Sequence, residues 1–531
     1  MSALASSTYQ PQLMSTTLRE RVVLGAITGL LAGLASSFLG QFPVGIWVYL
    51  LISIVLGIKF AWGMDTLATT PGTALVWAQA YGLAAWVVLW LTLYPLAAER
   101  RLAWDIEAAR ANFGLLLAQS LAFGIVLGLS YVFARWLWRS WQIRQAETDS
   151  TISKTSSQSE ASSQEVTTSP VITPPTITPQ GIVAPRVQAL IVGGLGGLVG
   201  SWLFARGIQT VAFYPLVAEL VGSEAASVGR LLHYLIGLII GLSFGFLFYK
   251  DLRNVGASLV WGINYGLVWW LLGPLTLFPW FLGNPVEWSL EVAQGATQGL
   301  IAHLLYGSVL GFFYGFINRI WRLLFIDSDP LQRSSESAGA RGAKFLLYGQ
   351  LAGIVGGVLF TLVTIQAGML RGTAQLLGMQ SAGAGLVIHL IVAMIIGSSY
   401  GVLFERRETR LGSSIAWGLS YGFFWWLLGS LTLFPAFLRL PVDWSNEAVS
   451  AGYVSLVGHL LYGLALGVLF QVLSSRRRPA APTLRGRDIV NQRLVTNESP
   501  ASAALWVVVI LLGVMLPLLL AGGVVIGGGY Y

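Results

Sequence analysis

The sequence predicts an all-α integral membrane protein made of tandem repeats, and three observations carry the prediction. The 531-residue chain is 55% hydrophobic and only 10% charged, with mean hydropathy +0.70; a soluble domain carries roughly 25% charged residues. Several apolar stretches reach ~20 residues, the length that crosses ~30 Å of hydrocarbon. Finally, residues 261–282, WGINYGLVWWLLGPLTLFPWFL, repeat as 417–438, WGLSYGFFWWLLGSLTLFPAFL. The match runs on through Pro285-Val-Glu-Trp288 against Pro441-Val-Asp-Trp444, and through His-Leu-Leu-Tyr-Gly at 303–307 and 459–463.

From the N-terminus, residues 1–140 read as a degenerate first four-helix unit. Trp77, Tyr81, Gly82, Thr92 and Pro95 fall 184 before Trp261, Tyr265, Gly266, Thr276 and Pro279. Arg19 and Arg21 before an apolar run that reaches Ala35-Ser36-Ser37 imitate a signal peptide. About 20 residues precede that run, however, and it begins the repeat pattern, so an uncleaved helix is expected. Residues 145–185 are rich in Ser, Thr, Gln and Pro; such a stretch cannot bury enough surface to offset chain entropy and reads as a disordered linker.

Residues 186–325 and 342–476 are two further copies of the unit. In the second copy the spacing predicts helices over about 187–207, 228–249, 255–274 and 293–322, each at least the ~20 residues of a span. The third of these is expected to end at Gly273-Pro274, with Leu-Thr-Leu-Phe-Pro279-Trp-Phe as an interfacial anchor or a dip back into the outer leaflet. A polar connection at 326–341 and a basic one at 477–502 follow the second and third units, and residues 503–527 form a C-terminal apolar run. The expectation is about 13 transmembrane helices: six helical hairpins, grouped as three units, plus one.

Most of the 31 Lys and Arg fall at the N-terminus, between the second and third helix of each unit, and after the fourth. That asymmetry predicts a multi-pass protein of the cell (inner) membrane with its N-terminus cytoplasmic. The expected partners are the lipid bilayer and other membrane subunits. The basic residues are spread among short loops beside apolar segments, so the +8 net charge predicts no nucleic-acid partner. Absence of cysteine excludes disulfides, thiolate metal sites and a cysteine nucleophile.

All four histidines lie inside apolar segments at matching places: His233 and His303, and, 156 later, His389 and His459. Tyr49 takes the place of His233 in the first unit, and Ser120, or Gln119 after a one-residue slip, that of His303. Each histidine sits in a stripe of small residues four apart, such as Gly229, His233, Gly237, Gly241 and Gly245. Four residues advance 400° on a helix, so the stripe drifts ~40° per step and needs a steep crossing or two neighbours in succession. Each histidine falls a few residues past its helix start, roughly 7–15 Å deep in the outer leaflet.

A polar residue in a membrane is by default a candidate for function. The four histidines are therefore candidate cofactor ligands, with Tyr306 and Tyr462 as supporting partners three residues on, and Glu287, Glu291, Asp443 and Glu447 as nearby loop carboxylates. Three readings follow. The leading one is transport or binding of a small uncharged or lipid-like molecule at a His-containing outer-leaflet site. The second is ligation of haem or a chlorophyll-type pigment in an electron-transfer subunit, since imidazole is the usual axial ligand. The third is a scaffold whose histidines bond across helix interfaces, each worth on the order of 0.6–2 kcal/mol. A divalent metal is disfavoured: Glu291 and His303, twelve apart on one helix, sit ~18 Å from each other. No Walker-type loop, H-E-x-x-H or Gly-x-Ser-x-Gly elbow is present, so no enzyme is expected.

The string His303-Leu-Leu-Tyr-Gly-Ser-Val-Leu-Gly-Phe-Phe-Tyr-Gly315 resembles a pattern in small uncharacterised bacterial four-helix membrane proteins. The resemblance covers the second and fourth helices of the two later units. It implies a four-helix unit and no particular activity.

Overall fold

The computed structural model describes residues 17–37, 44–100, 103, 105–160, 183–208, 213–249, 255–325, 338–366, 368–404, 411–475 and 501–520. Among the described residues there are helices and no strands. The long helices are α1 (Leu18–Ser37), α2 (Ile46–Met64), α3 (Pro71–Ala85), α4 (Ala118–Glu160), α5 (Val183–Gly207), α6 (Ala226–Phe248) and α7 (Val255–Leu272). After them come α8 (Thr297–Phe325), α9 (Ala338–Gln366), α10 (Ala382–Leu403), α11 (Leu411–Trp425), α12 (Tyr453–Ser475) and α13 (Ala501–Leu519). Ten helical segments among the described residues are long and apolar enough to cross a membrane. The chain is a multi-pass helical membrane protein.

Glycine decides which helices pair. Helices α1 and α2, α5 and α6, and α9 and α10 pack as neighbours, as do α3 and α4, α7 and α8, and α11 and α12. A methyl group on Gly57 would stand 2.2 Å from the Gly25 carbonyl oxygen, and one on Gly241 2.3 Å from that of Gly193. The corresponding distances are 2.0 Å from Gly262 to the Gly307 carbonyl and 2.1 Å from Gly418 to that of Gly463. Only hydrogen fits, so the backbones touch directly, which is how membrane helices gain dispersion contact without a hydrophobic drive between them. The drifting stripe of α6 does meet two neighbours in succession: Gly229 abuts Tyr214 of the short helix Phe213–Ala218, and Gly237 to Gly245 abut α5.

The helix after each tight α3-type start does not stop where proline suggested. Helix α7 continues through a π-helical turn, Gly273–Leu277, into Phe278–Phe281. Helices α3 and α11 do the same through Trp86–Leu93 and Trp426–Leu433. Pro274 is not the cause, since Trp90 and Ser430 occupy its place in the other two. Threonine is common to all three: Thr92, Thr276 and Thr432 donate their hydroxyls to the carbonyls five residues back, of Val87, Leu271 and Leu427, at 2.7–2.9 Å. Threonine hydroxyls back-bond in this way to carbonyls of the preceding turn. Trp288 and Trp444 then reach back and donate their indole N–H to Leu275 and Leu431 inside the π turns, at 2.8 and 3.0 Å.

Helix α4 runs without a break to Glu160 and so takes in the start of the 145–185 stretch. A polar composition forbids burial but not helix, because an existing helix end gains one hydrogen bond per added residue. Residues 161–182 lie outside the described residues, as do 326–337 and 476–500 of the two later connections and 521–527 of the C-terminal run.

Helix α13 contacts α3, α7 and α11. Its Val507, Ile510, Leu511, Val514, Met515 and Leu518 are all buried. The carbonyls at its end find side-chain donors: Arg110 donates to Pro517 and Leu520, and Gln294 to Leu518 at 2.9 Å. An unfilled helix terminus inside protein would be costly. Nearby, the fully buried Asn264 of α7 donates to Gln79 of α3 at 2.8 Å.

Candidate functional site

The structure gathers the four histidines into two pairs, each around one phenylalanine. Phe204 of α5 lies with its ring centroid 5.3 Å from His233 and 4.9 Å from His303. Phe360 of α9 lies 5.0 Å from His389 and 4.6 Å from His459. Both phenyl rings are buried, as are His233 and His459, while His303 and His389 are half-buried. The geometry follows from register. A four-residue stripe holds each pair of backbones in contact, which leaves room beside it for one ring projecting from the first helix of each set.

Each imidazole spends one N–H on a separate backbone carbonyl. His233 Nε2 donates to Ser201 at 2.9 Å and His389 Nε2 to Gly357 at 3.2 Å, both across a helix interface. His303 Nδ1 donates to Gly299 at 2.7 Å and His459 Nδ1 to Ser455 at 2.8 Å, both one turn back on their own helix. The carbonyl fixes the tautomer in each case, because it can only accept.

Tyr306 and Tyr462 do not partner the histidines. Their hydroxyls cross from α8 and α12 to carbonyls of α6 and α10, donating to Gly237 at 2.6 Å and Ala393 at 2.7 Å. A phenol three residues along the helix from a histidine shares its face, but its length carries the hydroxyl past the imidazole to the next helix. Glu287, Glu291, Asp443 and Glu447 are exposed and stay apart from the rings. Asp443 accepts from the Ser445 N–H at 2.8 Å, and Glu291 and Glu447 lie in the first turns of the short helices Leu290–Gly295 and Asn446–Ala451. Those helices are capped by Ser289 and Ser445 and favour acid there. Among the described residues, no three His, Asp or Glu side chains converge as a metal would require.

The same close contacts locate the corresponding place near the N-terminus. Gly29 seats against Gly57 as Gly197 does against Gly241 and Gly353 against Gly397. Seven residues on from the first glycine of each contact come Ser36, Phe204 and Phe360. Gly82 abuts the Ser120 carbonyl as Gly266 abuts that of His303 and Gly422 that of His459. Ser120, not Gln119, therefore stands in the histidine's place. Tyr49 stands opposite, with its hydroxyl 2.6 Å from Ser36 Oγ. A cavity of ≈ 20 Å³ lies beside Tyr49, lined in part by Tyr49, Ser53, Trp90 and Ser120.

Sequence reasoning overlooked one group in this region. Asp65, buried at the end of α2, lies 2.9 Å from Arg135 of α4 and 3.5 Å from Arg21 of α1, and accepts from Tyr131 at 2.8 Å. Arg135 also donates to the Asp65 and Ala68 carbonyls. Arg21 and Asp65 sit at the ends of α1 and α2 and Arg135 lies within α4, and only the fold brings the three helices together. Beyond its own sequence and structure, no family model matches this chain, and no curated protein or solved structure does either.

Proposed function

We propose that this protein is a structural membrane scaffold in which the histidines pack around phenylalanine wedges, His233 and His389 also bonding across helix interfaces. The observation that carries the reading is the Phe204 and Phe360 wedge: the space between each histidine pair is occupied by a phenyl ring. A flat macrocycle ligated by both rings would need the volume the phenyl holds, which disfavours haem or pigment ligation at these residues. In this reading the ten long apolar segments, together with α1, α11 and α13, make thirteen spans. They form three tandem four-helix units around α13, in the cell (inner) membrane with the N-terminus cytoplasmic. The recurring glycine contacts and the positions of Lys and Arg support that arrangement.

The test combines a spectrum with a melting curve on protein extracted from its native membranes. The scaffold reading predicts no Soret or chlorophyll-type band. It also predicts that His233→Ala lowers stability by about 0.6–2 kcal/mol, the worth of an interhelical hydrogen bond. A visible band that disappears in His233→Ala or His389→Ala overturns it. Handling of a small uncharged molecule remains the second reading, and the observation favouring it is the cavity beside Tyr49 and Ser120, away from every histidine.

A further inference from the structure

The cavity occupies the one place of three where no phenyl wedge enters. Its wall has a polar side and an apolar side. Tyr49 is 6% exposed and Ser120 8%, and both line the cavity. Ser53, fully buried, turns its hydroxyl back to the Tyr49 carbonyl at 2.9 Å. Ile52, Leu56 and Leu89, which also line it, are half-buried and belong to α2 and the π-helical turn Trp86–Leu93, next to the exposed Leu51, Val55 and Val88. The lining thus joins buried hydroxyl-bearing residues to apolar side chains at the edge of the exposed surface.

Its size sets the chemistry. About 10–15 Å³ accommodates one water-sized group, so ≈ 20 Å³ takes a hydroxyl or carbonyl head and little more. A serine hydroxyl lining an otherwise apolar cavity gains from a hydrogen-bonding partner placed there. A charged head would have no counter-charge, because none of the residues lining the cavity is ionised at neutral pH. We propose that this cavity binds the neutral hydroxyl end of a membrane-soluble alcohol, with Ser120 and Tyr49 holding the hydroxyl and the tail leaving past Ile52, Leu56 and Leu89 into lipid. Ser36, bonded to the lining Tyr49, stands where Phe204 and Phe360 stand at the two counterparts. The proposal takes from the scaffold reading only the comparison of the three places.

The experiment uses the full chain in phosphatidylcholine vesicles with a diazirine-bearing octanol as photolabel, read by peptide mass spectrometry. The expected result is labelling concentrated on Ile46–Met64 and Trp86–Leu93, competed by unlabelled octanol and lost in Ser36→Phe. Ser120→Ala, which leaves the cavity and removes one hydroxyl, is expected to weaken the competition roughly fivefold, the worth of one hydrogen bond. Labelling spread over the lipid-facing residues of all helices overturns the proposal, as does unchanged competition in Ser120→Ala. That second variant also decides the matter if Ser36→Phe does not fold. Specific labelling around Phe204 or Phe360 instead would count against the scaffold reading, so the two failures are distinguishable.

Discussion

A phenyl ring held between two imidazoles explains why histidine is tolerated inside these helices. Phe204 packs tilted against His233 and edge-on to His303, and each carbonyl partner satisfies one nitrogen. Removing the phenyl should therefore cost more than removing an imidazole. Phe204→Ala is expected to lose about 3–5 kcal/mol, as in other aromatic truncations, against the smaller loss given above for His233→Ala. Melting curves of the two variants check the order, and a larger loss for His233→Ala would contradict the wedge. The buried Asp65 is expected to be similarly demanding. Asp65→Ala leaves Arg135 and Arg21 without their carboxylate, at about 3–5 kcal/mol for a broken buried pair, whereas a loss below about 1 kcal/mol, typical of a surface pair, would show that water reaches the cluster. At this scale the sequence was informative about which residues are buried and uninformative about their partners. That His233 and His459 point inward follows from the glycines around them. That Phe204 lies between His233 and His303 does not, because the phenylalanine belongs to a third helix with no sequence register to either.

Helix pairing depends on close approach, and the small residues that permit it are visible in the sequence. Their outer members are not used this way, however: Gly295 faces open space, while Gly262 and Gly307 meet backbone to backbone. Gly262→Leu is accordingly expected to prevent α7 from seating on α8 and to abolish the folded protein in detergent, whereas Gly295→Ala should melt within about 0.5 kcal/mol of the parent, as a surface change does. Equal behaviour of the two variants would remove the glycine argument. The π turns were misread as a helix end because Pro274 is a strong local signal, whereas the residue that marks all three turns is the threonine at 92, 276 and 432. Thr276→Val keeps the shape and removes the bond to Leu271. A destabilisation of about 1 kcal/mol is expected in a thermal melt, the net value of one hydrogen bond; no change would mean that the π turn does not depend on the hydroxyl.

For the whole molecule, composition and hydropathy indicated the bilayer, but nothing in the sequence located the C-terminal apolar run within the bundle. An apolar helix suits lipid and protein interior equally well, and only the neighbours distinguish them. Helix α13 contacts α3, α7 and α11, so in the proposed arrangement it is the element the three units share. The buried Asn264–Gln79 bond ties α7 to α3 beside it, a polar contact of the kind that fixes register in apolar interfaces. The chain has no cysteine, so a disulfide can form only where two are introduced. Ser420 Oγ lies 3.5 Å from the Ala504 carbonyl, both residues being buried between α11 and α13. The most direct measurement is oxidative cross-linking of the Ser420→Cys, Ala504→Cys double variant in native membranes, read by protease digestion between the two sites. A central α13 predicts that the fragments stay joined until reduction. Fragments that separate without reduction, from a double variant that melts like the parent, would contradict it.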